Sequence, residues 1–139
     1  MLSMKKLSIL LLTVLLSSCA SMRYGNFTNA STAKDAYLAK DAVSQLTRVY
    51  PPAQNTFCFR QKICDGFGRH LIQAMRQKGY GVIENVHPRQ KANFFYVVDE
   101  AEPGRMYRVS LYIGPQILSR AYANTRGKLA PISPWSHKE

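Results

Sequence analysis

Three cysteines, three histidines and eight acidic residues are the groups of this 139-residue chain that could do chemistry. A cysteine reacts or binds metal as its thiolate, so the surroundings of Cys19, Cys58 and Cys64 matter more than their number. Cys58 and Cys64 lie six residues apart. Two thiols at that spacing can meet across a short turn, and an oxidising compartment permits a disulfide between them. The pair also reads as two free thiols, or with His70 as the start of a metal set. That set lacks a fourth ligand and a familiar spacing. His87 stands before Pro88 and His137 near the C-terminus, while the acidic residues are scattered and form no obvious acid/base pair. There is no GxSxG, no HExxH, no glycine-rich phosphate loop and no Cys–His–acid arrangement. The residues predict no catalytic site, no metal and no bound cofactor.

Cys19 differs from the other two because of what precedes it. Lys5 and Lys6 make a short positive region, and Leu7 to Leu16 is apolar except for Ser8 and Thr13. Spanning a bilayer takes roughly 20 apolar residues. This run is shorter and has the flanks of a signal-peptide core. It ends in Leu16-Ser17-Ser18-Cys19, which resembles the bacterial lipobox. Small side chains at Ser17 and Ser18 suit a narrow peptidase groove, and the thiolate of Cys19 is the nucleophile that takes the lipid. The resemblance implies that residues 1–18 are cleaved and that Cys19 carries diacylglycerol on its thiol and an acyl chain, such as palmitate, on its amine. Two or more chains hold a protein durably, at about 0.8 kcal/mol per buried methylene. Lipoproteins of this kind with Asp after the cysteine tend to stay at the inner membrane. Ala20 stands there instead, which implies the outer membrane.

Removing residues 1–18 leaves 121 residues, enough for one domain with a modest core. It also lowers the formal net charge from +11 to +9, since the signal holds Lys5 and Lys6 and no acidic residue. A basic domain outside the cytoplasm can face lipid phosphates, peptidoglycan carboxylates, an acidic protein or nucleic acid.

The elements that would position these groups follow from periodicity. Residues 19–31 are polar without an apolar period and read as a tether from the lipid, reaching roughly 40 Å if extended. Ser31 or Thr32 caps a helix running to Tyr50, where Pro51-Pro52 ends it. Its apolar side holds Ala36, Ala39, Ala42, Val43, Leu46, Val49 and Tyr50, and its polar side Lys40, Asp41, Ser44, Thr47 and Arg48. Thr56 to Arg60 alternates as a strand, with Phe57 and Phe59 facing inward. Asp65 caps a second helix that ends at Gly79 and buries Phe67, Leu71, Ile72, Ala74 and Met75. Arg69, Gln73 and Arg76 line its far side as a small basic stripe, and His70 sits at the edge of the buried arc as a packing residue. Tyr80 to Val86 is a strand, so residues 54–86 form a β-α-β unit with parallel strands. Phe94 to Val98 reads as a central strand. Met106 to Ile113 alternates cleanly, and Ile117 to Tyr122 is a last, edge strand. Residues 124–139 hold two prolines, Pro131 and Pro134, and Trp135. They read as a tail that folds back on the domain or as a docking peptide.

The expectation is an α+β protein: a single small two-layer domain, residues 32–123, with two helices packed on a mixed sheet of four to five strands. Edge strands offer unpaired backbone groups to a partner, and tryptophan is a frequent interface anchor. Ile117, Leu118, Tyr122 and Trp135 are therefore the candidate docking residues.

The lipobox, Pro51-Pro52-Ala53, Asp65-Gly66-Phe67-Gly68, Leu71, Arg76 and Lys78-Gly79-Tyr80 form a pattern with Tyr96-Val97-Val98-Asp99, Leu118-Ser119-Arg120-Ala121-Tyr122 and Pro134-Trp135-Ser136. Together they resemble the TrbH family, lipoproteins of the Trb-type conjugative apparatus, a type IV secretion system. The resemblance implies a non-enzymatic, structural, outer-membrane part of a DNA-transfer channel, facing the periplasm beside the TrbG and TrbI core proteins. It implies no direct contact with nucleic acid. The alternative reading is a surface or periplasmic lipoprotein for entry exclusion or for binding envelope glycans.

Overall fold

Ser31 opens the first helix as its sequence position predicts. In the computed structural model, which describes residues 23–139, its hydroxyl accepts from the Lys34 backbone N–H at the start of helix α1, Thr32–Val49. Such a cap satisfies one of the amide donors that a helix start leaves unpaired. The chain turns at Pro52–Gln54 and enters strand β2, Thr56–Cys58. Helix α2, Gly66–Gln77, follows, with the Asp65 carboxylate accepting from the Gly68 N–H. Strand β3, Gly81–Ile83, lies parallel to β2, with Phe57 opposite Val82. The β-α-β unit is present, and its two strands form a small sheet of their own.

The main sheet is built from β4 (Phe94–Glu102), β5 (Met106–Ile113) and β6 (Gln116–Thr125), a three-stranded meander. Phe94, Tyr96, Val98, Tyr107, Val109, Leu111, Leu118 and Tyr122 are buried on one side of it. Against them pack Leu38, Ala39, Ala42, Val43 and Leu46 of α1 and Phe67, Leu71, Ile72 and Met75 of α2. This is the two-layer α+β domain read from the sequence: two helices on a mixed sheet. Burial of α1 centres on Leu38, which the helix pattern had not placed on its apolar side, while Ala36 at its margin stays half-buried.

Two segments differ in kind from the sequence reading. Residues 19–31 are not all tether. Gly25–Asn26 is strand β1, parallel to β4 with Gly25 opposite Val97, and the Phe27 N–H continues the ladder to the Val98 carbonyl. Residues 124–139 are not a separate tail. Asn124 and Thr125 finish β6, Lys128–Pro131 is β7 and Ser136–Lys138 is β8. Both short strands pair with β6, β7 along Tyr122–Thr125 and β8 along Ile117–Ser119. In consequence β6 is not an edge strand, because its outer backbone groups already have partners. The proline spacing that suggested a loose tail instead breaks one long edge into two short strands, since proline cannot donate to a ladder.

Side-chain amides join the two sheets, which the hydrophobic pattern could not show. Asn93 receives the Cys58 N–H on its carbonyl and donates to the Thr56 carbonyl, taking a neighbouring strand's place beside β2. Gln61 does the same for β4, accepting from the Tyr96 N–H and donating to the Tyr96 carbonyl.

Candidate interaction surfaces

Two polar clusters tie the layers together. In the first, Asp65 at the start of α2 also accepts from the Tyr96 hydroxyl. Burial foremost, and then the Asp65 carboxylate, push the Tyr96 phenol far above its usual range. Asp35 of α1 is 5% exposed and accepts from the Asn26 side chain, so it holds β1 onto the helix layer. Its own carboxyl is raised, chiefly by burial. The two glycines of Asp65-Gly66-Phe67-Gly68 now have a physical reason. A Cβ on Gly66 would come within 2.5 Å of an Asp35 oxygen, and one on Gly68 within 2.1 Å of the Tyr96 hydroxyl. Helix α2 can begin against α1 and β4 only where side chains are missing.

In the second cluster, Arg120 reaches across from β6 to both oxygens of Asp41 on α1, at 3.2 and 3.0 Å. The same guanidinium donates through Nε to the Ser133 carbonyl and lies 5.9 Å from the centre of the Trp135 ring. Tyr122 donates its hydroxyl to Asp41, and burial with that carboxylate moves its phenol strongly upward. The helix period places Asp41 on the polar side of α1. A single acidic residue there carries no periodic signal of the partner waiting on β6.

These contacts decide the fate of the docking residues. Leu118 and Tyr122 are fully buried and cannot meet a partner. Trp135 packs against the domain's own core, and Ile117 is half-buried opposite Lys138 of β8. The expected docking edge is therefore covered by the chain's own C-terminal strands. Cys58 ends β2 half-buried and Cys64 is exposed, and both are free thiols. His70 is half-buried, and among the described residues no group of three or more His, Cys, Asp or Glu side chains could hold a metal ion. Cys19 lies outside the described residues, and no helix among them is long and apolar enough to cross a membrane.

One open surface with shape and charge is the outer side of α2. A shallow cavity of about 670 Å³ lies over Ile63, Ile72, Arg69, Gln73 and Arg76 and reaches Glu84. Arg76 pairs with Glu84 at 3.1 Å. A second groove, between the helices, adds Lys40, His70 and Lys78 around the shared Gln73. The basic stripe of Arg69, Gln73 and Arg76 is thus joined by cations from α1 and from the end of α2, which a one-helix reading cannot see. Its chemistry suits binding an acidic surface.

The family described as conjugal transfer protein TrbH matches residues 21–139. The chain belongs to the TrbH family. No curated protein and no solved structure matches it. As a member of a conjugal transfer family, the TrbH chain has its role in the transfer apparatus, and the residues that carried the resemblance are now seen to be mostly architectural. Asp65-Gly66-Phe67-Gly68 seats α2 on Tyr96, and Leu118-Ser119-Arg120-Ala121-Tyr122 is the strand that receives Asp41 and both C-terminal strands.

Proposed function

We propose that this TrbH protein is a non-enzymatic lipoprotein of the outer membrane that serves as a structural component of the conjugative type IV secretion channel. Cys19 carries its lipid, and its domain faces the periplasm. The observation that carries the reading is the family match over residues 21–139, nearly the whole chain after the signal. The architecture is in keeping with it. Among the described residues the polar clusters are consumed in joining layers, and the α2 surface is shallow and basic. The protein acts by holding a core-complex partner of the TrbG or TrbI kind, through the basic outer side of α2. Affinity capture from detergent-solubilised envelopes of mating cells tests this. Core-complex proteins should co-purify, and the double variant Arg69→Glu, Gln73→Glu should lose them and DNA transfer while keeping its melting temperature. Normal transfer and normal capture with both glutamates in place would remove the α2 surface from the account. Cys19→Ser should accumulate as an uncleaved precursor without label from radioactive palmitate. Label retained by that variant defeats the lipid anchor.

A further inference from the structure

The side of the main sheet that carries no helices is organised around one cross-strand row. Phe95 of β4 lies opposite Tyr112 of β5, Tyr112 opposite Ile117 of β6, and Ile117 opposite Lys138 of β8. Tyr24 completes the row at its far end. Its ring stacks on Phe95 at 4.3 Å between centres and meets Tyr112 edge-on at 5.4 Å. Gly25, with φ at 146°, makes the bend between that ring and β1, a conformation that side chains rarely allow. Tyr24, Phe95, Tyr112 and Ile117 are each only half-buried, and Phe27 of the same N-terminal segment is 55% exposed. Exposed Arg23 and Lys138 flank the row at its two ends.

We infer that this face lies against the lipid surface in which the chain is anchored, with its aromatic row at the level of the headgroups. The inference rests on the lipid-anchor reading of Cys19. Its second support is the length of free chain. Only residues 20–23 separate Cys19 from the ring that is already fixed on Phe95. Five residue steps reach at most about 18 Å, against the roughly 40 Å that a free segment 20–31 would allow. The N-terminal connection reaches the helix-free face directly, whereas turning the helices toward the lipid would take the short link around the sheet. The chemistry agrees. Tyrosine rings, with an apolar body and a polar tip, favour the membrane–water interface. Arg23 and Lys138 are placed for lipid phosphates, to which each exposed basic residue near the surface is drawn. The basic side of α2 then points away from the membrane, toward the periplasm.

The test uses the mature, lipidated full chain in vesicles of phosphatidylethanolamine and phosphatidylglycerol, with Cys58→Ser and Cys64→Ser removing the native reactive thiols. Single reporter cysteines at Tyr112→Cys, Ile117→Cys or Ser44→Cys are labelled with a membrane-impermeant maleimide. Each is compared with the same protein carrying a long Gly/Ser linker between Ala20 and Ser21. Labelling at residues 112 and 117 should be several-fold slower with the native link than with the long one, while Ser44→Cys on α1 labels equally in both. Ile117→Cys carries the comparison if Tyr112→Cys fails to fold. Equal rates with both links, in protein whose mass shows the lipid, overturn the membrane-facing orientation and leave the anchor standing. A mass without lipid overturns the anchor instead. Protection in whole envelopes but not in vesicles means that another protein covers this face, and this too overturns the inference.

Discussion

Arg120 and Asp41, 79 positions apart in the chain, form the one ion pair between the sheet and α1 among the described residues. Both side chains are about three-quarters buried, at 21% and 25% exposure, so water screens the pair less than it screens a surface pair. Asp41 is also the acceptor for Tyr122, and Arg120 holds the Ser133 carbonyl and the face of Trp135. Removing the carboxylate therefore leaves a cation and a buried hydroxyl without their partner. Asp41→Ala should cost about 2 kcal/mol, a melting temperature lower by several degrees. Asp41→Asn keeps an acceptor and should lose about half as much. Thermal melts of the two variants check the order, and equal losses would mean that the charge carries no weight.

Asp35 gives a pH prediction with a definite sign. Its carboxyl is raised in the folded chain, with burial the largest cause. A folded-state acid that holds its proton more tightly than the unfolded one favours folding at low pH and loses that contribution as pH rises through its folded value. At neutral pH the buried charge is a cost. Asp35→Asn keeps an acceptor for the Asn26 amide and removes the charge. The variant should melt higher than the parent near pH 7, and the gain should vanish below about pH 4, where the acid is neutral in both states. Melts across that range measure the difference. A gain independent of pH would assign the effect to packing.

The helices, the β-α-β unit and the meander were legible because each carries a strong local signal: a cap and an apolar period for α1 and α2, and strict alternation for β5. What stayed hidden was carried by polar residues and short strands. Two residues of β1 have no period, yet the Asn26–Asp35 bond and the Gly25–Val97 pairing fix them. Strands β7 and β8 are four and three residues long and separated by Pro134, too short to be distinguished from tail. Gln61 and Asn93 stand in for backbone, a role no composition window reveals. The site suffered most, because a docking surface inferred from an edge strand disappears once distant strands cover the edge.

A Cys58–Cys64 bridge is a proposal that rests on the oxidising compartment, against a structure in which both thiols are free. If the bridge forms, titration of the unfolded, unreduced mature protein should find neither thiol, and reduction should lower stability by about 2 to 3 kcal/mol, small because the loop is short. The segment between the two must also keep the Gln61–Tyr96 contacts, so Gln61→Ala should weaken the oxidised and reduced proteins alike. Two reactive thiols in the unreduced protein would overturn the bridge.

The C-terminal strands give the last prediction, and it reverses the one that a loose tail would give. A docking peptide could be removed and leave a folded protein. Here residues 132–139 hold β8, which covers the backbone of Ile117–Ser119, the Ser133 carbonyl that Arg120 grips, and Trp135 over the core. Deleting them strips ladder bonds from β6 and removes Trp135 from the core against which it packs. The truncated protein should melt lower by more than about 2 kcal/mol of lost burial and hydrogen bonding. Abundance in the envelope should fall with it, since a less stable fold is cleared by proteases. Trp135→Ala, which keeps β8, should lose about 1 to 2 kcal/mol. DNA transfer should then track protein level across both variants. A truncation that melts like the parent, reaches the membrane in normal amount and still fails in transfer would return residues 132–139 to the role of a partner-binding peptide.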